Sequence, residues 1–509
     1  MCPASRTDQA VGRWAEAHAR SNAIAVRYDG EVIGYRQLAA DVERLAHWLT
    51  QALPVGARIA WLTHNTPEQL VAVLACARTG CMLVPLNWRL TPRELEELLA
   101  DAAPSLLVVD RHCAPLYTDA MRGLCEGRVL SLRDPGSPFP DLRAAWQTAT
   151  PARDLSEVAP DRPLLLVYTS GTTGRAKGSV LTQRAIAANA ANSHAMHAMS
   201  PRDLVLTSLP LFHVGGLDIQ TLPALALGAT VLLHARFDAD ATLAAFAQAR
   251  PSLTVQIPAT LQALLAHRQW TATPLASLRT IATGSTDVPV ALIDAVHARG
   301  VPVIQVYGAT ETAPIAIYQR IDEAYTTVGS IGRPAPATEI RLVDAQGRDV
   351  GVDEPGEILV RGAQLASGYW RDEAASAEAF AGGWFRSGDI ATRDAAGRYW
   401  FRDRIKNVII SGGENVYPAE IERVARRERS LADCAVVGRP DARWGQVPVL
   451  FAVPANGGLD RAALRASFTT ALARYKHPRR IVEVDALPRT ALGKIDVGTL
   501  RRLAAELQD

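Results

Sequence analysis

Short apolar runs alternate along this chain with stretches in which apolar residues recur every 3.6 positions. Ile24-Ala-Val-Arg-Tyr and Val32-Ile-Gly-Tyr read as two strands about a turn at Asp29-Gly30. A helix follows, with Leu38, Val42, Leu45, Ala46 and Leu49 on one face. Arg58-Ile-Ala-Trp-Leu predicts a strand, the stretch through Leu70, Val73 and Leu74 a helix, and Cys81-Met-Leu-Val-Pro a further strand. Alternation at this spacing predicts parallel βαβ units. Residues 133–162, rich in Pro, Asp and Ala, read as a surface connection. Pro163-Leu-Leu-Leu-Val then predicts a buried strand, Ala185 to about Met199 an Ala-rich helix, and a second round of alternation runs to Tyr307. From Gly332 to about Tyr399 the runs shorten and are broken by Gly and Asp, which predicts a small antiparallel β subdomain. Beyond Asp403-Arg-Ile-Lys406 the chain reads helix (418–427), strand (434–438), strand (449–453), helix (461–475) and strand (480–484).

A chain of 509 residues exceeds one ordinary core. The expected division is a large N-terminal domain over residues 1–402 and a C-terminal domain over 403–509. Hydrophobic residues at 48% and charged residues at 21% describe an ordinary globular chain, and a net charge of +2 gives no argument for a nucleic-acid partner. The six cysteines form no CxxC pair, which fits reduced buried thiols. The N-terminus lacks a charged-then-apolar leader pattern, and no window carries the roughly 18 apolar residues of a membrane span. A cytoplasmic location is the expectation.

The densest chemistry lies in Tyr168-Thr-Ser-Gly-Thr-Thr-Gly-Arg-Ala-Lys-Gly178. Glycine lets backbone approach a ligand closely, hydroxyls and amides donate to phosphate oxygens, and Lys177 adds a cation. The spacing departs from the Walker pattern, because Lys177 precedes a Gly and not a Ser or Thr. This stretch resembles the signature loop of the adenylate-forming superfamily, which includes acyl-CoA synthetases, amino-acid-activating domains and luciferases. Ala176 stands where that family usually has Pro. The resemblance extends from about residue 24 to Lys494. It implies an α/β fold: two doubly wound βαβ subdomains and a small β subdomain in the large domain, with a mobile α+β lid hinged near Lys406.

The implied reaction joins a carboxylic acid to CoA in two steps, through an acyl-adenylate formed with release of pyrophosphate. Charge developing on the phosphates then requires cations and fixed donors. By the resemblance, Thr169, Ser170, Gly171, Thr172, Thr173, Gly174 and Lys177 hold the ATP phosphates. Tyr307 and Gly308 hold adenine, Thr310 the α-phosphate, and Glu311 with Thr172 the Mg2+. Gly284-Ser285-Thr286 occupies the adenine-contacting position but departs from the commoner Gly-Gly-Ala. Asp389, in Trp384-Phe-Arg-Ser-Gly-Asp, and Arg404 meet the ribose. Lys494, in Leu487-Pro-Arg-Thr-Ala-Leu-Gly-Lys, is the catalytic lysine. Gly412, Gly413 and Trp444 contact CoA.

Amino-acid-activating members carry Asp after the Phe matched by Phe212, whereas this chain has His213, as acyl- and aryl-CoA ligases do. His213, Val214, Gly215, Gln256, Thr283 and Ile315 are the acyl-pocket candidates. Small residues at Gly215 and Gly216 suggest room for a medium chain or a ring, and Arg279 keeps a dicarboxylic acid open. The expected substrate is a medium- to long-chain fatty acid. The alternatives are an aromatic or dicarboxylic acid, or transfer to a carrier-protein thiol in place of CoA. A homodimer is compatible with this reading.

Overall fold

The protein is described here by a computed structural model, which covers residues 10–149, 155, 157–169, 176–284, 288–411, 414–441, 443–455, 458–490 and 494–507. The chain forms two compact units: Met1–Ile340 with Val360–Arg386, and Arg341–Leu359 with Ser387–Asp509.

The first unit is built on two sheets. In the nine-stranded one the order is Arg333–Pro334, Ile317–Tyr318, Val303–Tyr307, Thr280–Gly284, Leu253–Val255, Leu204–Thr207, Thr230–Leu233, Ile24–Tyr28 and Glu31–Gly34. Its six inner strands, from Val303–Tyr307 to Ile24–Tyr28, run parallel, and antiparallel strands finish both edges. The edge hairpin turns on Asp29 (φ 46°) and Gly30 (φ 79°), the left-handed pair that an Asp-Gly turn supplies. The seven-stranded sheet has the order Gly368–Tyr369, Lys177–Thr182, Pro163–Thr169, Met82–Pro85, Arg58–Leu62, Leu106–Asp110 and Val129–Leu132. Strands from Pro163–Thr169 to Val129–Leu132 are parallel, and the other two add on antiparallel.

Helices Tyr35–Ala52, Pro67–Thr79 and Gln183–His197 pack with both sheets in one apolar cluster that includes Val26, Leu38, Leu74, Leu83, Leu165, Ile186 and Val205. The buried face of Tyr35–Ala52 is the 3.6-residue stripe that its sequence predicts. Pro67–Thr79 is buried on every side, so truncating Leu74 to Ala costs about 2–5 kcal/mol. The segment read as a surface connection is in part structural. It contains the helix Leu142–Gln147 with Trp146 buried, and Arg133 pairs with Glu31 and Glu68. Its chemistry looked loop-like because one short helix sits among Pro and Asp residues.

Two smaller sheets follow, the second of them wholly within the second unit. One contains Glu339–Val343, Gly356–Arg361, Phe385–Arg393 and Tyr399–Arg404, the last two antiparallel. The other contains Glu414–Val416, Ile409–Ser411, Gly445–Pro454, Leu431–Asp441 and Arg480–Glu483, with helices Pro418–Ala425, Arg461–Ala471 and Val497–Ala505. Ile421, Val424, Leu450, Leu464 and Phe468 share one of its apolar clusters.

Candidate active site

The phosphate-loop sequence joins the strands of a hairpin. Pro163–Thr169 and Lys177–Thr182 pair antiparallel, with Thr169 opposite Lys177. The Thr169 hydroxyl donates to the Lys177 carbonyl at 3.3 Å. Ser170, Gly171, Thr172, Thr173 and Gly174 lie outside the described residues, as do Ser285 and Thr286. The base of the hairpin is anchored where the Tyr168 hydroxyl donates to Asp101 Oδ2 at 2.7 Å.

Tyr307 ends an inner strand of the nine-stranded sheet, at the C-terminal edge where α/β folds bind ligands. Gly308 follows because nothing larger fits: a Cβ there would lie 1.7 Å from the Pro314 carbonyl oxygen. Thr310–Thr312 then makes one 3-10 turn, closed by the Ala309 N–H donating to Thr312 Oγ1 at 2.9 Å. Thr310 and Glu311 are both buried. Glu311 Oε1 accepts from the Tyr369 hydroxyl at 2.7 Å, and the Glu311 carbonyl accepts from the Ala366 N–H at 2.8 Å. Lys177 Nζ stands 5.0 Å from the centre of the Tyr369 ring. The fold therefore brings Lys177 and Glu311 together across Tyr369, a residue that sequence reading missed. The neighbouring strand ends at Gly284, opposite Val306, where a Cβ would lie 2.3 Å from the Val306 carbonyl oxygen.

His213 opens the turn Val214–Gly216, and its Nδ1 accepts from the Gly215 N–H at 3.0 Å. As an acceptor at Nδ1, the neutral ring carries its proton on Nε2. A π-helical turn, Leu217–Thr221, follows directly, a rare form that is frequent at functional sites. Val214 is packed in the apolar cluster shared by the two sheets. The lack of a side chain at Gly216 reflects close packing and not pocket room, because a Cβ there would lie 2.2 Å from the Pro210 carbonyl oxygen. Ile315 is buried beside Ile219, Val255 and Ala282, and its carbonyl and N–H bond to Asn192 and Asn189. Gln256 and Thr283 are fully buried, and among the described residues Gln256 Oε1 and Thr283 Oγ1 find no partner. Trp88 lies edge-on to Phe212, with the Arg89 guanidinium 4.6 Å from the Trp88 ring and 5.7 Å from the Phe212 ring. Arg279 is committed elsewhere: it grips both carboxylate oxygens of Asp203 at 3.0 Å, which removes it as a receptor for a second substrate carboxylate.

In the second unit Asp389 and Arg404 face each other across adjacent strands, with a 3.3 Å ion pair. The tight turn before Asp389 is held by the Gly388 N–H donating to Glu357 and by the Ser387 hydroxyl donating to the Ile358 carbonyl. Lys406 lies in the turn Ile405–Asn407, and its carbonyl accepts from Arg501. Burial, then Arg404 and Arg501, hold its ammonium below the ordinary lysine range. Asp403 is buried and accepts from the Arg404 N–H, Asn407 Nδ2 and the Ala419 N–H. Gly412 and Gly413 lie outside the described residues, between paired strands that place Ser411 opposite Glu414. Trp444 is flanked by Arg443 and Arg479, at 5.1 and 6.0 Å from its ring. Lys494 lies next to a short β-bridge between Arg489 and Ile495, and its carbonyl accepts from the Thr490 N–H at 2.8 Å.

Among the described residues no cluster of three or more His, Cys, Asp or Glu forms a dedicated metal cage. A magnesium ion needs only one or two carboxylates when nucleotide phosphates supply other oxygens, and the Glu311 carboxylate suits that donor set. No helix among the described residues is long and apolar enough to cross a membrane.

The sequence pattern of the AMP-binding enzymes matches residues 13–370, and that of the AMP-binding enzyme C-terminal domain matches residues 420–494. The chain is 46% identical over 504 residues to an indoleacetate–CoA ligase of Aromatoleum aromaticum, covering 97% of this chain and 98% of the relative. It is 39% identical over 507 residues to a feruloyl-CoA synthase of Amycolatopsis sp, covering 97% and 99%. A long-chain-fatty-acid–CoA ligase of Mycobacterium tuberculosis is 32% identical over 472 residues, covering 92% of each chain. Among solved structures, an anthranilate CoA ligase in complex with anthranoyl-AMP superposes with a TM-score of 0.88 at 25% identity, covering 98% of this chain and 97% of that one. Phosphate hairpin, Tyr-Gly-x-Thr-Glu turn and C-terminal lysine thus occur in a chain that matches the family from end to end: it belongs to the AMP-binding enzymes, as a carboxylate–CoA ligase that uses ATP and CoA.

Proposed function

We propose that this ligase activates an aromatic carboxylic acid, carried on a short side arm, in preference to the fatty acid first expected. The observation that carries this is the ordering of the relatives: ligases named for indoleacetate and ferulate share 46% and 39% identity over nearly the whole chain, against 32% for the fatty-acid ligase. The commitment of Arg279 to Asp203 weighs against a dicarboxylic acid.

In the proposed mechanism, Lys177 and the hairpin hydroxyls hold the ATP phosphates, Tyr307 stacks on adenine and Thr310 bonds the α-phosphate. Glu311 would hold a magnesium ion, which supplies positive charge against the departing pyrophosphate. His213 orients the acid carboxylate through its Nε2–H, and Lys494 offsets charge as that carboxylate attacks the α-phosphorus. Asp389 and Arg404 bind the ribose. The CoA thiolate, guided by Trp444, Gly412 and Gly413, then displaces AMP from the acyl carbon. Lys406 serves as the hinge between the two steps.

The test is kcat/KM for indole-3-acetate, ferulate, benzoate, decanoate and palmitate, each with ATP and CoA. An aryl acid is expected to exceed both fatty acids at least tenfold. A preference for decanoate or palmitate overturns the reading, and thioester formation only on an added carrier protein overturns CoA as acceptor.

A further inference from the structure

Tyr369 occupies a position that neither the loop motif nor the Tyr-Gly-x-Thr-Glu motif contains. It is the second residue of a two-residue strand on the edge of the seven-stranded sheet, opposite Ser179, next to the phosphate hairpin. The backbone around it is tied down. The Ser367 N–H donates to the Val180 carbonyl at 2.9 Å, and the Trp370 N–H donates to the Gly178 carbonyl at 2.7 Å. The Tyr369 N–H itself donates to Ser376 Oγ at 2.8 Å. From this rigid mount the side chain makes two contacts with the proposed machinery. Its hydroxyl donates to Glu311 Oε1 at 2.7 Å, and its ring face receives Lys177 Nζ at 5.0 Å.

Each contact removes a freedom that an isolated side chain would keep. A carboxylate at the end of a flexible stem samples several rotamers, and a charge-assisted hydrogen bond to one oxygen selects among them. A lysine ammonium over a phenol ring is held by the ring's negative face.

We infer that Tyr369 is a positioning residue that sets the magnesium carboxylate Glu311 and the phosphate cation Lys177 in one fixed arrangement before ATP arrives. This inference rests on the roles proposed above for Glu311 and Lys177. It assigns the two contacts to different tasks: the hydroxyl governs how readily Mg2+ joins the nucleotide site, and the ring governs Lys177.

Equilibrium binding of a fluorescent ATP analogue, without any carboxylic acid and over a range of Mg2+ concentrations, separates them. Tyr369→Phe keeps the ring and loses the hydroxyl. It should raise the Mg2+ concentration for half-maximal binding about tenfold and leave metal-free binding within twofold of the parent. Tyr369→Leu should show the same Mg2+ shift and also weaken metal-free binding several-fold. In a Glu311→Gln background, Tyr369→Phe should add no further Mg2+ shift, because its effect acts through that carboxylate. A Tyr369→Phe protein with the parent's Mg2+ dependence overturns the inference. So does an equal loss with and without Mg2+, the mark of a general packing role. If Glu311→Gln alone leaves the Mg2+ dependence unchanged, the metal role of Glu311 fails instead.

Discussion

Asp218 is fully buried in the π-helical turn after His213, and neither of its carboxylate oxygens has a hydrogen-bond partner among the described residues. An ionised carboxylate without partners is too costly in such a place, and burial pushes this one well above the usual carboxylate range. The sign of the pH effect follows. Above the ordinary aspartate range near 3.8 the unfolded chain releases this proton and the folded chain retains it, so raising pH favours unfolding through this group. Asp218→Asn removes the titration while keeping the shape. The thermal midpoint of the variant, relative to the parent, should become more favourable as pH rises from 5 to 7. A difference that stays constant over that range would show that Asp218 ionises as readily in the folded chain as in the unfolded one.

At the scale of elements, the segment around Lys406 is held by Asp403, whose carboxylate accepts from the Arg404 N–H, Asn407 Nδ2 and the Ala419 N–H at the start of helix Pro418–Ala425. Asp403→Ala strands those donors. It should destabilise the second unit by about 3 kcal/mol and speed hydrogen exchange over residues 403–419, with Asp403→Asn falling between. Unchanged exchange there would remove Asp403 as the anchor. Elements such as this show how far the sequence could be read. Periodicity located the helix carrying Leu38 to Leu49 and the Asp29-Gly30 hairpin, because a buried stripe and a left-handed turn each leave a local pattern. It missed strand Lys177–Thr182, since Lys177, Gly178 and Ser179 look like more loop, and it missed helix Val497–Ala505. Motif spacing pointed to Glu311 and Lys177, but their link through Tyr369 depends on sheet pairing between segments distant in sequence, which no local pattern encodes. Arg279 looked available because its partner Asp203 is distant in sequence, just before the strand Leu204–Thr207.

On the scale of the whole molecule, the described ionisable groups predict a particular weakness in acid. His64, His194, His197, His234 and His297 are all held below the ordinary histidine value near 6.5, burial being the largest cause for each, and His197 falls to about 4. All five belong to the first unit. They stay neutral in the folded chain while the unfolded chain takes up protons, so stability is complete above pH 6.5 and is lost as pH falls toward 4. His197 alone accounts for roughly 3 kcal/mol once the pH is below its folded value. Asp218 works in the opposite direction over this window, but it is one group against five. Paired carboxylates such as Asp203, lowered despite their burial, lose their contribution at lower pH and leave the window to the histidines. The thermal midpoint of the first unit should therefore drop steadily between pH 6.5 and 4.5, with net proton uptake on unfolding. His197→Gln should flatten that decline by close to one proton, and a midpoint independent of pH across the window would rule out buried neutral histidines as the source of acid sensitivity.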